Sequence, residues 1–316
     1  MKKVQKIILT TLLFIFLILL FVFLYAMILV SSVKLDEEKL INLERITTFY
    51  DENNEVFREE SGGKSVCEIS KIPNHTLNAF IAIEDKRFFS HNGVDYKGLM
   101  RATINNLKSF SFKEGASTIS QQLIKNTHLS GEKTFKRKII EMKLALELEK
   151  KFTKNEILEK YLNTIYFGNN CYGIKSASKF YFNKSPEELS INESAVLAGM
   201  IKAPSIYSPI KNAVKCNERK NVVLKEMFLQ GYINKDEYNQ NISLDISVDL
   251  DENYSSGTSY SFMVRKELSE ILDRSPYLYD SVDVFTSFSP EIQTNLEKNL
   301  KNNQFSNDNA GVIIKS

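Results

Sequence analysis

The sequence predicts a mainly α protein with an N-terminal transmembrane helix and a short β-containing pedestal, and three observations lead there. Ile7 to Val30 is a run of 24 residues without a charge, and Thr47 to Glu60 alternates apolar and polar positions. Leu77 to Ile201 carries helical periodicity with repeated helix-start signals. With 316 residues the chain has room for one large domain or two modest ones.

The uncharged run, IILTTLLFIFLILLFVFLYAMILV, reaches roughly 36 Å as a helix at ~1.5 Å per residue, enough to cross a hydrocarbon core of ~30 Å with some tilt. It exceeds the ~7–15-residue core of a secretory signal, and no small-x-small cleavage site follows, so an uncleaved anchor is expected. Lys2, Lys3 and Lys6 leave the tail 1–6 in the cytoplasm and put everything past Val30 outside a single-pass cell-membrane anchor. Removing those three lysines takes the charge from 41 − 39 = +2 to 38 − 39 = −1, so no bulk basic field argues for nucleic acid. Cys67, Cys171 and Cys216 lack both a disulfide framework and metal spacing, and read as isolated half-buried thiols. His75, His91 and His128 do not cluster either.

After the span, TTFYDENNEVFREE reads as a hairpin around Asn53-Asn54, a pedestal near the membrane. Thr153 and Glu156 form a capping box before EILEKYLNTIYF, with Ile157, Leu158, Tyr161, Leu162 and Ile165 on one face. Ser190 and Glu193 repeat the device before SAVLAGMI, and Ser185, Pro186 and Glu188 before a short helical turn. Cys216 to Gln230 reads as a helix, Ser281 to Leu300 as a strand, a Ser-Pro turn and a helix, and the final AGVIIKS as a strand.

Three constellations carry possible chemistry. In AFIAIEDKRFFSHNGVD, Glu84 lies on the side of Phe80 and Ile81, which desolvates its carboxylate, raises its pKa and suits it to accept a proton near neutral pH. From that segment alone a surface ion pair with Arg87 or Lys86 is the stronger reading. In EGASTISQQLIKN, a helix starting near Ser117 aligns Ser117, Gln121 and Lys125 as a polar face for a sugar or a phosphate, while a solvated face has the same pattern. In FKRKIIEMKLALELEKKF, Arg137 and Glu141 head a stripe continuing through Leu144, Ala145, Leu148 and Phe152. That pair fits either a structural ion pair or a diphosphate clamp, and periodicity does not separate them.

Five motifs in series over roughly 140 residues resemble the family 51 peptidoglycan glycosyltransferases of class A penicillin-binding proteins and monofunctional transglycosylases. They are IEDKRFFSHNGVD, GASTISQQLIKN, RKIIE, KNEILEKYLNTIYFG, and the stretch from Tyr172 to Pro209. The resemblance implies a lysozyme-like two-lobed glycosyltransferase domain whose smaller jaw dips into the membrane, with Leu99, Met100, Leu107, Phe110 and Phe112 as jaw candidates and core packing as the plainer reading of them. The expected organisation is a tail at 1–6, an anchor at 7–30, a juxtamembrane linker and hairpin at 31–70 and the glycosyltransferase domain at 71–232. At 233–316 come a linker and the truncated start of a transpeptidase-like region.

The reaction implied is polymerisation of lipid II into glycan strands, with inversion at the anomeric carbon and release of undecaprenyl diphosphate. By motif, Glu84 is the general base and Glu141 acts at the donor diphosphate, directly or through a divalent cation, Mg2+ or Mn2+, the one cofactor left open. Lys125 and Arg137 offset the diphosphate charge, Ser117, Thr118, Gln121 and Asn126 hold sugar and phosphate, and Lys138 is a further substrate-binding residue. Partners are then lipid II, the growing glycan strand, the membrane and other cell-wall synthesis proteins. The chain reaches Ser316 with no S-D-N-like or K-T-G element, so cross-linking activity is not expected. It reads as a short glycosyltransferase or as the N-terminal piece of a bifunctional protein. The rivals are a lytic, lysozyme-type hydrolase and a non-catalytic membrane-anchored scaffold.

Overall fold

The computed structural model describes residues 2–41, 45–62, 66–109, 117–129, 134–169, 171–249 and 282–302, with a few isolated positions between 260 and 267. The expected strand AGVIIKS, and Phe110 and Phe112 of the jaw candidates, lie outside the described residues, as does the side chain of Leu107. The chain divides into two compact units, residues 1–37 with 87–158, and 38–86 with 159–316.

The first unit contains helix α1 (Lys2–Ser31), unbroken for 30 residues. The described residues by themselves include no helix long and apolar enough to cross a membrane; several side chains between Ile15 and Leu29 are outside that set. Three further helices belong to this unit, numbered here in chain order with the second unit's α2 and α3 below: α4 (Tyr96–Ser109), α5 (Ile119–His128) and α6 (Phe135–Lys151). The α6 stripe predicted from spacing is its core face, with Leu144, Ala145 and Leu148 buried, as are Ile119, Leu123 and Ile124 of α5. By contrast Tyr96, Leu99, Met100 and Ile104 of α4 are exposed.

A ladder on α6 ties down the chain that follows α1. Lys143 Nζ donates to the carbonyl of Val30 at 2.6 Å and to that of Val33, placing a cation on the negative end of α1. One turn on, Glu147 accepts the Leu35 N–H at 3.1 Å, and after another turn Lys151 pairs with Glu37. The 143, 147, 151 spacing puts all three on one face of α6.

The second unit starts with α2 (Glu38–Ile41) and the hairpin expected from the alternating stretch, β1 (Arg45–Tyr50) against β2 (Val56–Gly62), antiparallel. Asp51 Oδ1 accepts the N–H groups of Asn53 and Glu55, both at 2.8 Å, and Asn54 takes φ +61°, so the turn is closed by side chains suited to it. A third strand, β3 (Val282–Phe285), joins β1 in parallel, giving the order β2-β1-β3. The helices are α3 (Asn74–Glu84), α7 (Lys154–Thr164) from Glu159 onward, α8 (Ile174–Phe182), α9 (Ile191–Met200), α10 (Ala213–Leu229) and α11 (Lys235–Ser243). The helix Pro290–Asn302 follows β3.

The capping boxes at Thr153/Glu156, Ser185/Glu188 and Ser190/Glu193 all form. Every residue from Ser194 to Met200 is buried, so α9 is the central helix of this unit, packed by α3 and α10. Gly199 permits the close approach of α10, because a Cβ there would lie 3.0 Å from Arg219 Cγ. The three cysteines are free and buried.

Candidate active site

In the first unit the site is built on α5 and α6. Thr134 caps α6, its Oγ1 accepting the Arg137 N–H at 3.1 Å, which fixes the turn that carries Arg137, Lys138 and Glu141. Glu141 is buried, with its side chain 3% exposed, and its carboxylate is met by Lys138 Nζ, three residues back. The same ammonium donates to Ser117 Oγ at 2.8 Å. Ser117, Lys138 and Glu141 therefore form one charge-assisted chain running from an exposed hydroxyl to a buried carboxylate. Arg137 is half-buried beside it in sequence.

Sequence spacing puts Gln121 on an open polar face with Ser117 and Lys125, and here the structure differs. The helix starts at Ile119, Thr118 is its N-cap, and Gln121 turns back so that its Oε1 accepts the Thr118 N–H at 3.0 Å. Thr118 Oγ1 in turn accepts the Gln121 N–H at 3.2 Å and donates to the Gly93 carbonyl at 2.6 Å. Both side chains are buried in a T-x-x-Q capping box, the same device that the sequence signals at Thr153/Glu156. Lys125 and Asn126 are exposed toward the other end of α5, roughly 9–11 Å along its axis from Ile119 by helical rise.

Gly93 completes this corner. At φ +88° it has a conformation that L side chains avoid, and an added Cβ would lie 2.6 Å from the Ala145 carbonyl oxygen of α6. Nearby, Arg87 pairs with Asp95, its Nε donating to Oδ2 at 3.0 Å, so the charge following Glu84 is in part internally balanced.

Glu84 belongs to the second unit. It is the last residue of α3, half-buried, behind the fully packed Phe80, Ile81 and Ala82. Phe80 meets Phe167 edge-on at 6.0 Å. The apolar run is thus the support of the helix, and the charged residues begin where the helix stops. Asp85 is buried and ends α3, donating its N–H to the Ile81 carbonyl at 3.0 Å. Tyr161 of α7 is fully buried and feels both Glu84 and Asp85: burial first, then these two carboxylates, push its phenol well above its ordinary pKa. Sequence periodicity marks Tyr161 as core, which it is; its place beside the acid pair has no local signal.

A resident divalent cation finds a poor match at Glu141. Among the described residues, the groups bonded to this carboxylate and to its partner ammonium are the Lys138 ammonium and the Ser117 hydroxyl, where a hard cation takes several oxygens, carboxylates foremost. Among the described residues no three His, Cys, Asp or Glu side chains group as metal ligands.

Residues 52–228, more than half of the chain, match the family model described as Transglycosylase. Penicillin-binding protein 1A of Aquifex aeolicus is 37% identical over 74% of this chain and 32% of its own length. Penicillin-binding protein 1F of Bacillus subtilis is 44% identical over 64% of this chain and 28% of its own. Penicillin-binding protein 1A of Escherichia coli is 40% identical over 74% and 28%. The chain thus spans about a third of the length of these relatives.

Proposed function

The chain belongs to the transglycosylase family, and from that premise we propose that it is a peptidoglycan glycosyltransferase that polymerises lipid II into glycan strands. The observation that carries the reading is the buried Glu141 bound by Lys138 and linked to Ser117, three residues from two separate family-like motifs joined in one chain of contacts. In the proposed reaction the acceptor sugar's 4-hydroxyl oxygen attacks the anomeric carbon of the lipid-linked donor, with inversion. The bond to the diphosphate oxygen breaks, and undecaprenyl diphosphate leaves with the electron pair. The hydroxyl proton passes to the Glu84 carboxylate, acting as general base.

Lys125, Arg137 and Lys138 offset the charge of the departing diphosphate, and Glu141 holds the Lys138 ammonium in register for it. Ser117 and Asn126, both exposed, bind sugar or phosphate oxygens. Thr118 and Gln121 act through their cap, which sets the start of α5 and with it Ser117. The two-lobed, lysozyme-like form is part of the same proposal.

α1 is proposed as a single-pass anchor in the cell membrane with the catalytic domain extracytoplasmic. Its 24-residue uncharged stretch has the required reach, and Lys2, Lys3 and Lys6 set its direction. The Lys143, Glu147 and Lys151 ladder fastens the chain leaving the anchor to the helix that carries Lys138 and Glu141. Confining enzyme and lipid-linked substrates to one surface raises their effective concentration.

The test is labelled lipid II with purified protein, in detergent and in liposomes, beside finished peptidoglycan. Polymer from lipid II supports the proposal. Fragments released from finished peptidoglycan point to a lytic hydrolase, and neither product points to a scaffold.

A further inference from the structure

We infer that the C-terminal face of α10 is a positioning device for Glu84, with Glu226 and Gln230 as positioning residues; the inference rests on the general-base reading above. The last carbonyls of a helix have no partner within it. At the end of α3 the Ile81 carbonyl takes the Asp85 N–H, and the Ala82 carbonyl accepts from Gln230 Nε2 at 3.0 Å. Two residues past Glu84, Lys86 Nζ is bound to Glu226 Oε2 at 2.5 Å. Glu226 and Gln230 are four residues apart, so they stand on one face of α10 and grip α3 on both sides of Glu84.

The grip is rigid at its root. Val223, Leu224 and Met227 are buried, the Gln230 N–H is bonded to the Glu226 carbonyl at 3.1 Å, and Gly231 at φ +76° turns the chain away immediately afterwards. All of these residues belong to the second unit. The consequence for Glu84 is twofold. The backbone that presents its carboxylate is fixed from outside α3, and the flexible cation two residues on, Lys86, is engaged by Glu226. Lys86 and Glu226 are 41% and 23% exposed, so the pair adds little to stability, and its contribution lies in placement.

The experiment is steady-state polymerisation of labelled lipid II by the full chain, with thermal melting of each variant. Its variants are Glu226→Gln, Gln230→Leu, Lys86→Glu, Glu226→Lys, the reversed pair Lys86→Glu with Glu226→Lys, and Glu84→Gln. Misplacing a reacting group lowers turnover rather than binding, so Glu226→Gln and Gln230→Leu are expected to lower kcat about tenfold with KM within about twofold. The reversed pair is expected to recover to within about twofold of wild type, while each single reversal stays low. Unchanged kcat in all these variants beside an inactive Glu84→Gln overturns the inference and leaves the general-base reading intact. A loss that tracks melting temperature, without recovery in the reversed pair, also overturns it. An active Glu84→Gln overturns the general-base reading itself.

Discussion

Lys138→Met isolates the Lys138–Glu141 charge pair of the first unit. Glu141 is 3% exposed at its side chain and Lys138 41%. Removing one partner of a wholly buried pair costs about 3–5 kcal/mol, because the other charge stays buried without compensation. Water reaches the ammonium side here, which screens the interaction and brings the expected cost down to roughly 1–2 kcal/mol. For a domain of about 150–250 residues that is a fall in melting temperature of about 2–8 °C. Glu141→Gln in the same background removes the stranded charge and is expected to recover most of the loss. The assay is thermal melting of wild type, both single variants and the double variant in one detergent. A melting point for Lys138→Met indistinguishable from wild type, or losses that simply add in the double variant, refutes the pairing.

Two further predictions concern other parts of the fold. Gly93→Ala places a Cβ against the Ala145 carbonyl at a positive φ, and is expected to cost about 1–3 kcal/mol or more, read as a lower melting temperature; a neutral outcome contradicts the packing of that corner on α6. Burial pushes the Cys67 and Cys216 thiols up to about 11 and about 12 from 9.0. A raised folded pKa gives stability that is present below pH 9 and lost as pH rises toward those values. Native protein is therefore expected to resist thiol labelling at pH 8 and to react fully once unfolded, and Cys67→Ala and Cys216→Ala should flatten the alkaline fall in melting temperature. Rapid labelling of the native thiols contradicts it.

Local patterns make much of this fold legible. The hairpin at Asn53-Asn54, the apolar stripe of α6 and three capping boxes depend on neighbours a few residues apart, where propensity and periodicity act. The parallel pairing of β1 with β3 joins residues more than 200 positions apart, which no local pattern encodes. Glu84 and Glu141 stand out through motif resemblance, because spacing alone fits a surface ion pair at Glu84 and a structural ion pair at Glu141 as well. Thr118 and Gln121 fit a polar face by spacing, yet T-x-x-Q is also a helix-start signal of the kind seen at Thr153/Glu156, and at α5 the cap wins. Burial of Asp85 beside Tyr161, and the grip of Glu226 and Gln230 on α3, arise from helices distant in sequence and have no sequence signature.

The most direct test of the central claim is the count of undecaprenyl diphosphate released against glycosidic bonds formed, in wild type and in Glu84→Gln. Inverting transfer with Glu84 as base predicts one diphosphate per bond, a polymer fully cleaved by a β-1,4-specific muramidase, and neither product from Glu84→Gln of unchanged melting temperature. Diphosphate release without bond formation, or polymer from Glu84→Gln at the wild-type rate, contradicts it.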